Sequence, residues 1–231
     1  MSILEIHDLT KSFTSPDGES VSIIDIPELS LDAGKHVALR GSSGSGKTTL
    51  LNLIAGILRS DTGTVEVAGK NLSNMTEANR DLFRARNLGY IFQTFNLLQA
   101  FTSLENVLLG MMFGGGKDEA HARALLERVG LGDRIDFRPG QMSVGQQQRV
   151  AVARALANRP KLVLADEPTG NLDAAHGQDS LKLIREVCEE NGAALLLVSH
   201  DRDIIEQFDL VMDLAELNQA ASAQSEKGDV E

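Results

Sequence analysis

The sequence predicts an α/β fold: a parallel sheet covered by helices, with an N-terminal antiparallel β subdomain and an inserted α-helical subdomain. Two predicted strands, residues 161–166 and 193–200, contain uninterrupted apolar runs at 162–165 and 193–198, which are typical of strands buried on both faces. Helical patterns alternate with these runs. A glycine-rich segment, 41–49, lies between a strand pattern and a helix pattern, as in folds that bind phosphate.

The first part of the chain has strand patterns. Residues 2–9 and 21–26 alternate apolar and polar side chains around Pro16-Asp17-Gly18, which predicts an antiparallel hairpin. Phe13 falls between these strands, on a segment that we interpret as a polar loop. Further predicted elements are a strand at 35–40, a helix at 49–56, a strand at 62–70 and a strand at 87–93.

Residues 94–148 are mostly helical in pattern, and we interpret them as an insertion in the α/β core. An apolar face runs through 103–109, and Asp118 is the predicted cap of a helix that stops at Gly130. The core then resumes with a helix at 144–158, a strand at 161–166, a helix at 178–190 and a strand at 193–200.

These elements predict a single domain over residues 1–217, with an α/β core at 1–93 and 149–217 and the helical insertion at 94–148. The tail, 218–231, is rich in Ala, Ser, Gln and charge, which predicts disorder.

Composition excludes several classes of protein. With 22 basic and 33 acidic residues the formal net charge is −11, which argues against a nucleic-acid partner. A lone cysteine, Cys188, permits no disulfide framework within the chain and favours the cytosol. No apolar stretch reaches the 18 or so residues of a spanning helix, and the N-terminus does not resemble a secretory signal. The five histidines lack the spacing of metal ligands.

The segment 41–49 fits the P-loop pattern G-x-x-x-x-G-K-[ST], which predicts a P-loop NTPase core of RecA-like type. Its glycines let backbone N–H groups turn toward a phosphate, and the helix that follows directs its positive dipole end to the same place. Lys47 is expected to reach the β- and γ-phosphates, and the Thr48 hydroxyl to join a Mg²⁺ shell. The predicted phosphate-binding residues are Gly41, Ser42, Ser43, Gly44, Ser45, Gly46, Lys47, Thr48 and Thr49.

Two adjacent acids, Asp166 and Glu167, follow the buried strand 161–166. Ligands of open parallel sheets bind beyond the carboxyl ends of the strands, where both the P-loop and these acids fall. We therefore expect Asp166 to serve Mg²⁺ and Glu167 to accept a proton from a water that attacks the γ-phosphate. A pair of solvated acids at a strand end is the alternative interpretation.

The segment Met142-Ser143-Val144-Gly145-Gln146 opens a predicted helix about twenty residues ahead of the acid strand. It resembles the signature sequence of ABC-type ATPases, and the resemblance extends over residues 1 to about 215. The other matching positions are Phe13 as the adenine-stacking aromatic, Gln93 as the Q-loop glutamine, Asn171-Leu172-Asp173 as the D-loop and His200 as the switch histidine.

This resemblance implies ATP and Mg²⁺ as cofactors and a head-to-tail homodimer. Ser143, Gly145 and Gln146 of one subunit would close on the γ-phosphate held by Lys47 of the other. It further implies that His200 senses the γ-phosphate. Gln93 with Thr48 and Asp166 would serve the metal, and Asp173 the nucleotide.

Residues 87–109 and 166–173 resemble the branch of the family that powers lipoprotein release, macrolide export and the cell-division ATPase–permease pair. That branch implies a membrane permease docked near Gln93, Phe95 and Leu98, and a cytoplasmic ATPase held at the inner face of the membrane. Phe95 and Leu98 could instead pack the insertion. Cargo does not contact the ATPase in this architecture, so the permease sets the substrate.

Two positions depart from the family pattern. Phe13 stands where Tyr is more usual, and it keeps the π-face that stacks on adenine. Val144 stands where the family has glycine, and a β-branched side chain adds bulk and restricts φ. Weaker closure of the dimer on nucleotide is the expected consequence of Val144.

Other functions remain compatible with the same motifs. One is an ABC ATPase that signals through a permease-like membrane partner without transport, and another is a soluble ABC ATPase of an assembly pathway. A GTPase is disfavoured because no Asn-Lys-x-Asp guanine-recognition motif occurs.

Overall fold

The computed structural model describes residues 1–220, which form two compact units. The first contains residues 1–33, 37–80 and 198 onward, and the second contains residues 34–36 and 81–197. The strands are β1 (Ser2–Thr14), β2 (Ser20–Asp32), β3 (His36–Arg40), β4 (Thr62–Val67), β5 (Lys70–Asn71), β6 (Leu88–Ile91), β7 (Leu162–Asp166), β8 (Ala194–Ser199) and β9 (Leu210–Asp213). The helices are α1 (Lys47–Ile54), α2 (Glu77–Asn87), α3 (Ser103–Met112), α4 (Glu119–Arg128), α5 (Val144–Leu156), α6 (Ala174–Glu190), α7 (Arg202–Ile205) and α8 (Leu214–Leu217).

The first unit contains the antiparallel sheet, in the order β2-β1-β4-β5. The predicted hairpin forms between β1 and β2, with Leu4 opposite Leu31 and Leu9 opposite Ile26. Its alternating apolar side chains are fully buried at Leu4 and Leu9, because one face of the sheet packs on the core. Both strands are longer than the patterns 2–9 and 21–26 suggested.

The first unit also contains β3 and β9, which pair in parallel with Val37 opposite Leu210. The last two residues of β8 belong to this unit, and the backbone N–H of Gly41 donates to the Ser199 carbonyl at 3.4 Å. The loop that follows β3 therefore begins beside the end of β8. This contact fixes the start of the P-loop at the carboxyl end of the parallel strands.

The second unit contains β6, β7 and the first four residues of β8. β6 and β7 are parallel, with Leu88 opposite Leu162 and Ile91 opposite Ala165. Every residue of β7 and β8 is buried, as the uninterrupted apolar runs predicted. Cys188 on α6 is fully buried as well, and burial raises the pKa of its thiol to about 12.

Capping residues fix the helices of the second unit. Asp118 accepts a hydrogen bond from the His121 backbone N–H and caps α4, as predicted, and Gly130 beyond the helix has a φ of 77°. Asn106 on α3 is almost fully buried, and its amide bonds the backbone at Leu98, Phe101 and Thr102. Its side chain therefore holds the loop that leads into α3.

Several predictions need correction. Phe13 lies within β1 and not on a loop, since it pairs with Val21 across the hairpin. Disorder does not extend to Asn218, whose amide bonds the backbone of Asp25 and Ile23. The remainder of the predicted tail, 221–231, lies outside the described residues. Across residues 1–220, no helix is long and apolar enough to span a bilayer.

Candidate nucleotide site

The P-loop connects β3 to α1 in the first unit. Lys47, the first residue of α1, is 7% exposed, and its ammonium group donates to the carbonyls of Gly41 and Ser42 at 2.8 Å each. α1 has no side-chain cap, because its N-cap is Gly46. The first N–H groups of the helix thus lack a side-chain acceptor, which is the arrangement that binds phosphate oxygens.

Glycines in the loop leave room that side chains would fill. Gly46 has a φ of 94°, and an added Cβ would lie 3.0 Å from Ile24 Cδ1. A Cβ on Gly41 would lie 2.7 Å from Ser45 Oγ. The Ser45 hydroxyl is enclosed and finds no hydrogen-bond partner among residues 1–220. A cradle with a cationic ammonium, bare N–H groups and this unpaired hydroxyl fits a nucleotide phosphate.

Phe13 and His200 belong to the same unit as the P-loop. Phe13 is 42% exposed, and the Lys11 ammonium lies 5.5 Å from its ring centroid. His200 is exposed, directly after Ser199. The Ser199 hydroxyl accepts a hydrogen bond from the Asp201 backbone N–H at 3.0 Å, which fixes the turn that presents His200.

The two adjacent acids lie in the second unit at the end of β7. Asp166 is 6% exposed, while Glu167 is partly exposed and has a φ of 43°. This left-handed conformation is unusual for a residue other than glycine, and such strain is found preferentially at functional sites. The Glu167 carbonyl accepts the Gly170 N–H at 3.0 Å, so a tight turn directs the chain away from the strand.

Tyr90 on β6 lies near Asp166. Burial, and secondly the Asp166 carboxylate, raises the pKa of the Tyr90 phenol. Its ring stacks on Phe92, with centroids 4.1 Å apart. The phenol therefore stays neutral at physiological pH beside the predicted metal-binding carboxylate.

The signature segment caps α5 with its own side chains. The Ser143 hydroxyl accepts the Gln146 N–H at 3.3 Å, and the Gln146 side chain accepts the Ser143 N–H at 3.0 Å. Val144 is 47% exposed and has a negative φ, so its backbone conformation does not require glycine. The negative φ agrees with the preference of valine, and the weaker closure of the dimer expected from Val144 stays a prediction. A Cβ on Gly145 would meet nothing within 4 Å.

Comparison with known proteins decides the family. The model of the family described as ABC transporter matches residues 24–170, which is more than half of the chain. This chain belongs to the ABC transporter family. It is an ATPase of that family, as the motifs predicted.

Relatives place this ABC ATPase in the predicted branch. The lipoprotein-releasing system ATP-binding protein LolD of Pseudomonas fluorescens is 44% identical over 93% of the chain and 95% of LolD. The macrolide export ATP-binding/permease protein MacB of Rhodopirellula baltica is 42% identical over 91% of the chain, which spans only 31% of MacB. The dimeric ATP-binding cassette MJ0796 with ADP and Pi bound has a TM-score of 0.83 at 31% identity, covering 94% of this chain and 95% of MJ0796. These matches confirm the predicted fold.

Gln93 of the ABC ATPase is exposed after β6, and its backbone carbonyl accepts a hydrogen bond from the Asn171 side chain at 2.6 Å. Asp173 caps α6 and bonds the His176 N–H and ring, at 3.0 and 2.7 Å. Those two hydrogen bonds lower the pKa of Asp173, the backbone one more strongly. The carboxylate is thus engaged within its own chain, so its predicted role toward the nucleotide remains a proposal.

The predicted docking residues differ in exposure. Leu98 is 50% exposed, but Phe95 is only 7% exposed and has a φ of 59°. The Arg154 guanidinium bonds the carbonyls of Phe95 and Asn96 and fixes this backbone. Phe95 therefore packs the second unit and is not available for a partner, which corrects the expectation that it docks the permease.

One residue of the site escaped sequence reasoning. Gln148 on α5 is fully buried, and its amide nitrogen donates to the Pro168 carbonyl at 2.6 Å. This contact joins the signature helix to the residue after Glu167. The sequence feature that could have revealed Gln148 is a polar residue at a position on the buried face of the predicted helix.

Proposed function

We propose that this ABC ATPase forms a head-to-tail homodimer with two composite ATP sites and that hydrolysis drives conformational change in a membrane permease. One observation carries the proposal. The end of α5 presents Val144 and Gly145 to solvent, with open space around Gly145, while Ser143 and Gln146 cap the helix. These caps bond the N–H groups of Ser143 and Gln146 and not those of Val144 and Gly145, so this helix N-terminus suits a phosphate brought by another subunit.

Each subunit would supply both halves of a site. In the first unit Phe13 would stack on adenine, the P-loop would hold the phosphates, and His200 would contact the γ-phosphate. In the second unit Glu167 would accept the proton of the attacking water. Thr48, Gln93 and Asp166 offer hydroxyl, amide and carboxylate oxygens, the donors that Mg²⁺ prefers. Bound Mg²⁺ would neutralise charge on the phosphates.

The names of two relatives support a proposal for cargo and location. LolD belongs to a lipoprotein-releasing system and MacB to macrolide export. We therefore place the chain on the cytoplasmic face of a membrane, bound to a permease that exports lipoproteins, lipids or drugs. The exposed Gln93 and Leu98 are the residues of the docking surface that the partner would contact.

Mixing two inactive variants tests the composite site. Lys47→Ala removes the phosphate-binding cation, and Gly145→Glu places a carboxylate where the partner's phosphates would lie without disturbing its own chain. Each variant alone should lose ATPase activity by at least about 10²-fold. The mixture should regain activity, because a heterodimer has one site with an intact P-loop and an intact signature helix.

Gly140→Glu is the matched control, since a Cβ there also meets nothing within 4 Å. It should keep activity. A mixture as inactive as its components would contradict the composite site, as would full activity of Gly145→Glu alone.

Leu98→Glu tests the docking surface. A charge on this half-exposed leucine should abolish co-purification with the permease and the stimulation of ATPase activity by it, while the affinity for ATP stays within about twofold. The Leu82→Glu variant, at 41% exposure on α2, serves as the control and should still bind the permease. Loss of ATP binding in Leu98→Glu would assign Leu98 to the core instead.

A further inference from the structure

A cavity of about 220 Å³ lies in the first unit, beyond the end of α1 that is opposite the P-loop. Leucine and valine side chains form its apolar wall. Its polar groups are two guanidinium groups and two hydroxyls, from Arg59, Arg80, Ser60 and Ser73. Among residues 1–220, no acidic side chain lines it. On a chain with a formal net charge of −11, a cavity with only cationic and neutral polar groups is unusual.

Arg80 is built into this cavity. Its side chain is 7% exposed, and its Nε–H donates to the Gly56 carbonyl at 2.8 Å. Gly56 makes room for it, because a Cβ there would lie 2.7 Å from Arg80 Cδ. Among residues 1–220, the Arg80 side chain forms no ion pair and no other hydrogen bond. Four of the five N–H donors of a guanidinium therefore have no acceptor in the described part of the chain.

Arg59 supplies a second charge of the same kind. It is exposed, and within residues 1–220 it has neither a hydrogen-bond acceptor nor an acidic partner. The neighbouring acid, Asp61, is engaged elsewhere, by the Lys11 ammonium at 2.7 Å and the Ser12 N–H at 2.7 Å. Arg59 and Arg80 both line the cavity, and an anion bound there would be attracted by both positive charges.

We propose that this cavity binds a tetrahedral oxyanion, the phosphate group of a monoester or inorganic phosphate. Arginine donors match phosphate oxygens in pairs, and the two serine hydroxyls add neutral donors. Arg80 is largely shielded from solvent, so an anion in the cavity would satisfy guanidinium donors that have no acceptor among residues 1–220. The site is separate from the P-loop, which lies at the other end of α1.

Inorganic phosphate titrated into the full chain tests the proposal. The protein is first saturated with Mg²⁺ and a non-hydrolysable ATP analogue, so that the P-loop is filled. Calorimetry should then show saturable binding of phosphate. Arg59→Ala and Arg80→Lys should each weaken it about ten- to a hundredfold, because a charge-assisted or paired hydrogen bond is lost. Arg123→Ala, which removes an exposed arginine paired with Glu119, should leave it unchanged.

Binding experiments with lipid vesicles distinguish a lipid headgroup from free phosphate as the ligand. Vesicles of phosphatidylcholine with phosphatidic acid are compared with phosphatidylcholine alone. If only the phosphatidic acid vesicles bind, and Arg59→Ala abolishes that binding, the oxyanion is a lipid headgroup. Affinities that do not change in either arginine variant would overturn the proposal, as would the absence of saturable binding in both arms. Arg59 is exposed, so its variant tests the site even if Arg80→Lys unfolds.

Discussion

Glu167→Gln should abolish ATP turnover, by at least about 10²–10⁴-fold, while the affinity for ATP is kept. The amide has the shape of the carboxylate but cannot accept a proton from the attacking water. Glutamine should adopt the φ of 43° at position 167 as readily as glutamate does, so the turn should be kept. ATP that binds and is not hydrolysed should hold two subunits together, so the variant should elute as a dimer with ATP and as a monomer without nucleotide.

The comparison is made by steady-state ATPase assays and size-exclusion chromatography with light scattering. Glu190→Gln is the matched control, because Glu190 is an exposed acid paired with Arg128 on the surface of α6. It should keep wild-type turnover. A Glu167→Gln protein that still hydrolyses ATP as a monomer would contradict both the role of Glu167 and the composite site.

The sequence predicted most of the strands and missed elements that carry little apolar signal. β7 and β8 were predicted because strands buried on both faces are apolar throughout. α2 was missed because the segment is mostly polar and Arg80 is its only buried residue. β9 was missed because it has only four residues, too few to show a strand period.

At the site, the P-loop, the acid pair and the signature helix could be predicted from sequence motifs. Binding of phosphate requires particular residue types in a particular order, and that order is visible in the sequence. Side-chain burial could not be predicted in the same way. Phe95 and Leu98 are three residues apart on one loop, yet the first is buried and the second exposed. Side-chain contacts from Arg154, 59 residues from Phe95, and from Asn106, 8 residues from Leu98, fix this loop, and the sequence pattern does not show them.

Gln148 is expected to position Glu167 through the turn that follows it. Its amide donates to the buried Pro168 carbonyl at 2.6 Å, while its own oxygen is enclosed and has no partner within residues 1–220. Gln148→Leu keeps the volume and removes the donor. The gain from deleting an unpaired oxygen should offset part of the loss, so the free energy of unfolding should fall by no more than about 1–3 kcal/mol. kcat should fall about tenfold or more, with KM for ATP within about twofold.

Gln148→Glu separates a positioning role from simple packing. Burial should raise the pKa of the new carboxyl, so its protonated form, which can donate to Pro168, predominates at low pH. Stability relative to wild type should therefore be greatest at low pH and be lost as the pH rises through the raised pKa. In ATPase assays between pH 6 and 8.5, the ratio of its kcat to the wild-type kcat should likewise be highest at low pH and fall as the pH rises. A ratio independent of pH, together with an unchanged kcat in Gln148→Leu, would leave Gln148 with a packing role only.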